Sequence, residues 1–342
     1  MAATIRDVAK RAGVSVATVS RVLNGSGPVS DGARQRVEDA ATALRYVPHG
    51  AAQSLSTRRT LNLGVILPDL YGEFFSQFIR GLDQATRAAG YHLLLSGSHA
   101  QDAEVDAALR AMRARVDGLI LMSPDIDPDR LLEVLPPGSP TVLVNTPFGD
   151  GDSFDTLDVD NRGGAYAMVR HFVSLGHQRI GLIGGRASNY DARERRTGYR
   201  TALEESGLEH RPEWEVEADF TKSSGYESAR RLLENGDRPT AVFAANDSMA
   251  IGALSAIQEA GLNVPADVAV GGFDDIPIAR YVTPALTSVH VDLTGLGERA
   301  VELLLMSIRG QGVRVPVHEV APTELVVRRS CGASNSRGGS AA

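Results

Sequence analysis

One cysteine, one tryptophan and an aromatic content of 5% leave this 342-residue chain without the raw material of several protein classes. A lone Cys331 beside a Gly/Ser-rich end excludes an internal disulfide and a cysteine metal cluster, and it reads as a solvent-exposed tail thiol. No apolar run reaches the ~20 residues of a bilayer-spanning helix. The opening MAATIRDVAKRAGVS carries charge in its first turns and has no apolar stretch of the secretory kind. A globular cytoplasmic protein with no membrane partner is therefore expected. Catalytic signatures are missing too. GLIGGR does not satisfy G-x-G-x-x-G, and neither G-x-x-x-x-G-K-[ST] nor the nucleophile elbow G-x-S-x-G occurs. The reading is a protein that is not an enzyme, with no cofactor and no metal.

What the sequence does have is an uneven charge. The net of −7 hides nine basic groups against four acids in residues 1 to 60, a local net of +5 that leaves −12 on the remainder. A basic segment joined to an acidic body is what attraction to phosphate at one end requires. Length points the same way, since 342 residues exceed one hydrophobic core and predict a small unit plus one or two larger lobes.

The basic segment reads as three short helices. Thr4 with Asp7 three residues on gives an N-cap and an acidic first turn, and Ile5, Val8, Ala9 and Ala12 share one face. Gly13 ends that helix. Ser15 caps a second, with Val19, Val22 and Leu23 inward and Val16, Ala17, Ser20 and Arg21 outward. Two helices joined by a three-residue turn containing Gly describe a helix-turn-helix, whose second helix lies in the major groove. Arg21 offers a guanidinium fork to guanine, Val16 and Ala17 suit a thymine methyl, and Ser15, Thr18 and Asn24 suit phosphate oxygens. A third helix starts near a Ser30 cap, buries Val37, Ala41 and Leu44, and stops before Tyr46 and Pro48.

The run TIRDVAKRAGVSVATVSRVLNGSGPVSDGARQRVEDAATALRYVPHGAAQSLS resembles the head of the lactose/galactose repressor family over its whole length, and the likeness continues to about residue 330. The resemblance implies a helix-turn-helix in residues 1–47 and a hinge helix with linker in 48–60. It also implies an effector-binding and dimerising body in 61–330, ahead of a disordered tail in 331–342. It assigns operator contact to Thr4, Ser15, Val16, Ala17, Thr18, Ser20, Arg21, Asn24, Ala52 and Leu55, with Val16 and Ala17 at the two specificity positions. VSVATVSRV resembles the galactose-repressor branch, which implies a palindromic operator with a central CpG step. Leu55 matches the residue that wedges into that step from the minor groove, a move costing about a few kcal/mol of unstacking. His49 stands where Asn is usual and Gly50 beside it weakens a helix by ~1 kcal/mol, so the hinge is expected to fold only on DNA.

From Leu61, apolar runs alternate with helical patterns: LNLGVIL, YHLLLS, DGLILM and TVLV, then after Asn161 RIGLIGG, AVFAAND and VAVGGFDD. This is the βαβ rhythm of two doubly wound parallel-sheet lobes, the architecture that the resemblance equates with the type I periplasmic binding proteins. Ligands of such sheets bind beyond the carboxyl ends of the strands. Asn145, Asn246, Asp247, Asp274 and Asp275 end such runs, Asp191, Arg193 and Arg195 follow RIGLIGG, and Phe220 precedes a helix. The resemblance carries effector-binding roles to Arg195, Asn246 and Asp274, an aromatic contact to Phe220 and an apolar one to Leu293. It also has a GEFF loop present Tyr71, Phe74 and Phe75 to the cleft, and places Asn145 where aspartate is common.

Carboxylates beside an arginine fork clamp vicinal diols, which favours a neutral saccharide, and the expected function is a repressor released from its palindromic operator by a small sugar or sugar derivative. A corepressor-type regulator sensing a nucleobase, stacked on the first-lobe aromatics, or another metabolite is the alternative. The expected assembly is a cytoplasmic, nucleoid-associated homodimer on double-stranded operator DNA, the tail CGASNSRGGSAA having no apolar heptad for a larger one. A sugar-processing enzyme and a transport-type binding protein are the rival classes.

Overall fold

The computed structural model describes residues 3–24, 27–46, 59–99, 101–135, 138–147, 153–234, 236–310 and 315–333. The chain divides into two compact units, Met1–Leu61 with Ala114–Asp117, and the rest. Pro48 to Ser56, with Ala52 and Leu55, and the tail from residue 334 lie outside the described residues.

In the first unit, α1 (Ile5–Ala12) opens with the predicted box: the Thr4 hydroxyl and amide both donate to Asp7 Oδ2, at 2.7 and 2.9 Å, and the Asp7 amide donates back to Thr4. Gly13, at φ 65°, ends it in the left-handed conformation that glycine adopts without strain. The Thr18 amide donates to Ser15 Oγ at 3.1 Å, so Ser15 caps α2 (Val16–Asn24). Val8, Val19 and Val37 are fully buried where the helices meet. α3 (Asp31–Ala43) starts at Ser30, but the Ser30 side chain makes no capping hydrogen bond, and Ala33 and Ala40 are buried where Ala41 and Leu44 only flank the core.

The second unit holds two six-stranded sheets with the same order. The first runs β11-β5-β4-β3-β1-β2: β1 (Asn62–Leu67), β2 (His92–Gly97), β3 (Gly118–Met122), β4 (Thr141–Val144), β5 (Asp155–Val159) and β11 (His318–Ala321). The second runs β12-β10-β9-β8-β6-β7: β6 (Ile180–Gly184), β7 (Glu215–Glu217), β8 (Ala241–Ala244), β9 (Ala269–Asp274), β10 (Thr287–His290) and β12 (Glu324–Val326). Among the described residues the strand pairings are parallel except that of β10 with β12. Helices on both faces bury the central strands completely, which is why they read as unbroken apolar runs. The chain crosses between the lobes three times, after β5, after β10 and between β11 and β12.

Helix pairs are set by glycines at their crossings. α4 (Gly72–Ala88) meets α11 (Leu293–Arg309), where a Cβ on Gly81 would lie 2.0 Å from the Thr294 carbonyl oxygen. α9 (Lys222–Glu234) meets α10 (Asp247–Glu259), where one on Gly225 would lie 2.3 Å from that of Met249. The remaining helices are α5 (Asp102–Met112), α6 (Pro128–Val134), α7 (Asn161–Ser174) and α8 (Tyr190–Glu205).

Three expectations are corrected. GEFF is no loop but the first turn of α4. Cys331 is no exposed tail thiol: it is fully buried, its Sγ 3.3 Å from His171 Nε2, so the body extends past residue 330. The cause is Ser330, whose hydroxyl donates to the Val270 carbonyl at 2.6 Å and fastens this segment to β9.

Candidate functional site

The candidate nucleic-acid surface is the outer face of α2. Val16 is 42% exposed, and Ala17 and Arg21 are exposed beside it. These three side chains stand on the face that the second helix of a helix-turn-helix turns to the major groove. The hydroxyls of Ser15 and Thr18 lie 2.9 Å apart and that of Thr4 is held by Asp7, so hydrogen bonds within the helix starts already engage three of the expected operator contacts. Ser20 is half-buried, and Asn24 is the last residue of α2.

In the second unit the strand ends converge on one chain of polar side chains. Asn145 follows β4 in the left-handed region, φ 43°, fully buried; its Oδ1 accepts from the Val159 amide at 3.0 Å and its Nδ2 faces Asp191 Oδ2 at 3.4 Å. Asp191, in the first turn of α8, accepts from Asn161 Nδ2 at 2.8 Å. Asn161 Oδ1 in turn accepts from Arg195 Nε at 2.7 Å. Arg195, 3% exposed, also donates to the Ala245 carbonyl, reaches Asp274 Oδ1 at 3.3 Å, and lies 3.8 Å above the Phe273 ring.

The Arg195 contact is an ion pair without hydrogen-bond geometry, so Asp274 Oδ1 is buried with no hydrogen-bond donor. Burial pushes the Asp274 carboxyl up to about 7, against the pull of Arg195. Burial likewise raises Asp191 to about 6, against Arg195, and Asp158 to about 7, helped by the charges of Asp191 and Glu194. Two of these carboxyls, Asp274 and Asp191, act on the same guanidinium, that of Arg195, which sets donor and acceptor capacity side by side.

Around this chain the other expected residues are spread unevenly. Phe220 is half-buried at φ 67°, its ring so close to Gly185 that a Cβ there would lie 2.4 Å from Cζ. Asn246 is engaged at both ends, capping α10 through the Met249 amide at 2.9 Å and donating to the Phe220 carbonyl at 3.1 Å. Phe74 and Phe75 pack edge to face at 5.0 Å and are half-buried against the core, whereas Tyr71 is 82% exposed. Leu293 is buried at the start of α11.

Two residues that sequence reasoning passed over complete the arrangement. Asn161 joins Asp191 to Arg195. Asp125, after β3, joins the lobes by accepting from Ser188 Oγ at 3.0 Å and Asn189 Nδ2 at 3.1 Å. A second link runs from the Ile278 amide to Glu73 Oε2 at 2.9 Å. Among the described residues no group of His, Cys, Asp and Glu is placed to hold a metal ion, and no helix is long and apolar enough to cross a membrane.

A helix-turn-helix joined to two doubly wound lobes with a polar cleft defines a ligand-responsive DNA-binding protein. Comparison with known proteins gives the family. Residues 4–49 match the model of bacterial regulatory proteins of the lacI family, and residues 169–331 that of the periplasmic binding protein-like domain. The chain is 39% identical to the HTH-type transcriptional repressor PurR of Serratia proteamaculans (strain 568), covering 96% of both chains. To the same-named repressor of Proteus mirabilis (strain HI4320) it is also 39% identical, with 96% of each covered. Among solved structures, the lac repressor dimer bound to operator and the anti-inducer ONPF superposes with a TM-score of 0.84 at 32% identity, covering 97% of this chain and 100% of that one. A transcriptional regulator CelR–cellobiose complex gives 0.74 at 33%, covering 96% and 99%. The chain belongs to the lacI family of bacterial regulatory proteins. It is a DNA-binding transcriptional regulator and not an enzyme.

Proposed function

We propose that this protein is a homodimeric repressor whose hold on a palindromic operator is strengthened by a nucleobase-like corepressor bound between the lobes. It acts in the cytoplasm at the nucleoid. The observation that carries the reading is Asp274: a buried carboxyl oxygen without a hydrogen-bond donor, set beside the Arg195 fork. An acceptor next to a donor complements the adjacent N–H and C=O groups on a base edge, and Phe220 and the Phe74–Phe75 pair supply faces for a flat ring. The relatives named PurR fit this alternative better than the saccharide reading.

The saccharide reading has its own support in the CelR–cellobiose neighbour and in the diol-clamping chemistry of Asp274 with Arg195. Either ligand acts only through its preference for one lobe arrangement. Val16 and Ala17 read the half-sites, Arg21 reads guanine and Leu55 wedges the central CpG step.

Fluorescence anisotropy of a labelled operator separates the readings. Titration with adenine, guanine, hypoxanthine and uracil, and in parallel with galactose, ribose and cellobiose, is expected to tighten operator binding with a base and leave it unchanged with the sugars. Release by a sugar establishes the saccharide reading instead. Indifference to every compound removes the cleft as an effector site of either kind.

A further inference from the structure

Asp274 and Asp275 are consecutive non-glycine residues at positive φ, 99° and 52°. Such a pair persists only where its surroundings hold it, and here each neighbouring group is held from a different element. The Asp275 amide donates to Ser288 Oγ at 3.1 Å, and Ser288 Oγ donates to Asp247 Oδ1 at 2.5 Å. Asp247 Oδ2 accepts the Ile276 amide at 2.8 Å. The Asp275 carboxylate, its side chain 7% exposed, is met by Arg328 at 2.6 Å and by His290 Nδ1 at 3.3 Å. Arg328 lies just beyond β12. The same terminal nitrogen donates to the Leu286 carbonyl at 2.7 Å, and its amide donates to Thr287 Oγ1 at 2.8 Å.

We infer that Arg328 is a positioning residue for effector recognition: by neutralising and anchoring Asp275 it fixes the left-handed turn that aims Asp274 at Arg195. The inference rests on the reading of the cleft as the effector site. A buried carboxylate that loses its cation is driven toward water or toward protonation. For Asp275, held at positive φ, the route toward water is rotation of the strained turn. That rotation carries Asp274, one residue back, away from the guanidinium. The last strand crossover thus reaches the cleft without touching ligand. A purely structural role is separable, because Ser330 fastens the same segment to Val270 and Thr287 without contacting Asp275.

The test uses full-length protein with R328M, R328K, D275N and S330A, read by calorimetric titration with guanine, by Tm, and by the Arg195 Nε–H resonance in a 15N–1H spectrum. R328M is expected to weaken guanine binding at least tenfold and to shift the Arg195 resonance. R328K restores most of the affinity, and the R328M/D275N double variant is no weaker than R328M. S330A lowers Tm while leaving affinity within twofold and the resonance in place. Should R328M fail to fold, D275N carries the same expectations. An Arg195 resonance unmoved in R328M or D275N overturns the inference, as does guanine affinity lost in R195M but kept in R328M. If the parent does not bind guanine, the nucleobase reading fails and the resonance alone decides the role of Arg328.

Discussion

Arg21 and Arg195 carry the same guanidinium into opposite settings. Arg195 has every nitrogen engaged, to Asn161, Ala245 and Asp274, and a ring beneath its plane. Removing it strands buried carboxyls, a loss on the order of 3–5 kcal/mol in folding before any ligand is considered. Arg21 is exposed on the outer face of α2, so its replacement leaves the fold untouched and reports on DNA alone. R21A is expected to cost about 1–3 kcal/mol on the specific operator, with discrimination relaxed at one guanine, while binding to unrelated DNA changes little. A competition assay against both DNAs checks this. Equal losses on the two would make Arg21 a phosphate contact instead.

At the scale of elements, glycine sets how closely helices cross. G225A places a methyl group into the backbone of α10, and G81A does the same against α11. Each is expected to lower stability by about 1–3 kcal/mol in urea titration, since overpacking displaces backbone rather than a side chain. A neutral G225A would mean the α9–α10 crossing is soft.

What could be read from sequence follows from burial. Strands such as GLILM and AVGGFD are covered on both faces and so appear as apolar runs. β5, DTLDV, does not, because Asp155 Oδ1 is spent on the Val317 amide beside β11 and Asp158 lies near the charges of Asp191 and Glu194. The three-residue β7 likewise escaped notice. Within the cleft, Arg195 and Asp274 were legible because they end or follow apolar runs. Asn161 was not: it opens α7 straight after a crossover, and a lone Asn after Asp160 carries no sequence signal of the two side chains it connects.

For the molecule as a whole, the cleft dictates an unusual response to pH. Asp158 and Asp274 at about 7, with Asp191 at about 6, keep protons that the unfolded chain has already released. The folded state therefore binds more protons in this range, and stability falls as pH rises through 7. Between pH 6.5 and 8 the loss is on the order of 1 kcal/mol, or about 2–4 °C in Tm. D158N combined with D274N should flatten that dependence. A Tm that climbs over the same interval would show the three carboxyls to be ionised in the folded protein.

The triple crossing between lobes also fixes an order of events during synthesis. The first lobe receives α11 and β11 only from Leu293–Arg309 and His318–Ala321, and the second waits for Glu324–Val326. Neither can close on the ribosome until nearly the whole body has emerged. The contacts that close the first three helices, by contrast, lie within residues 5–46. Domains fold as they leave the tunnel, amino terminus first. A nascent chain stalled before Leu293 therefore exposes a finished DNA reader with nothing yet able to govern it.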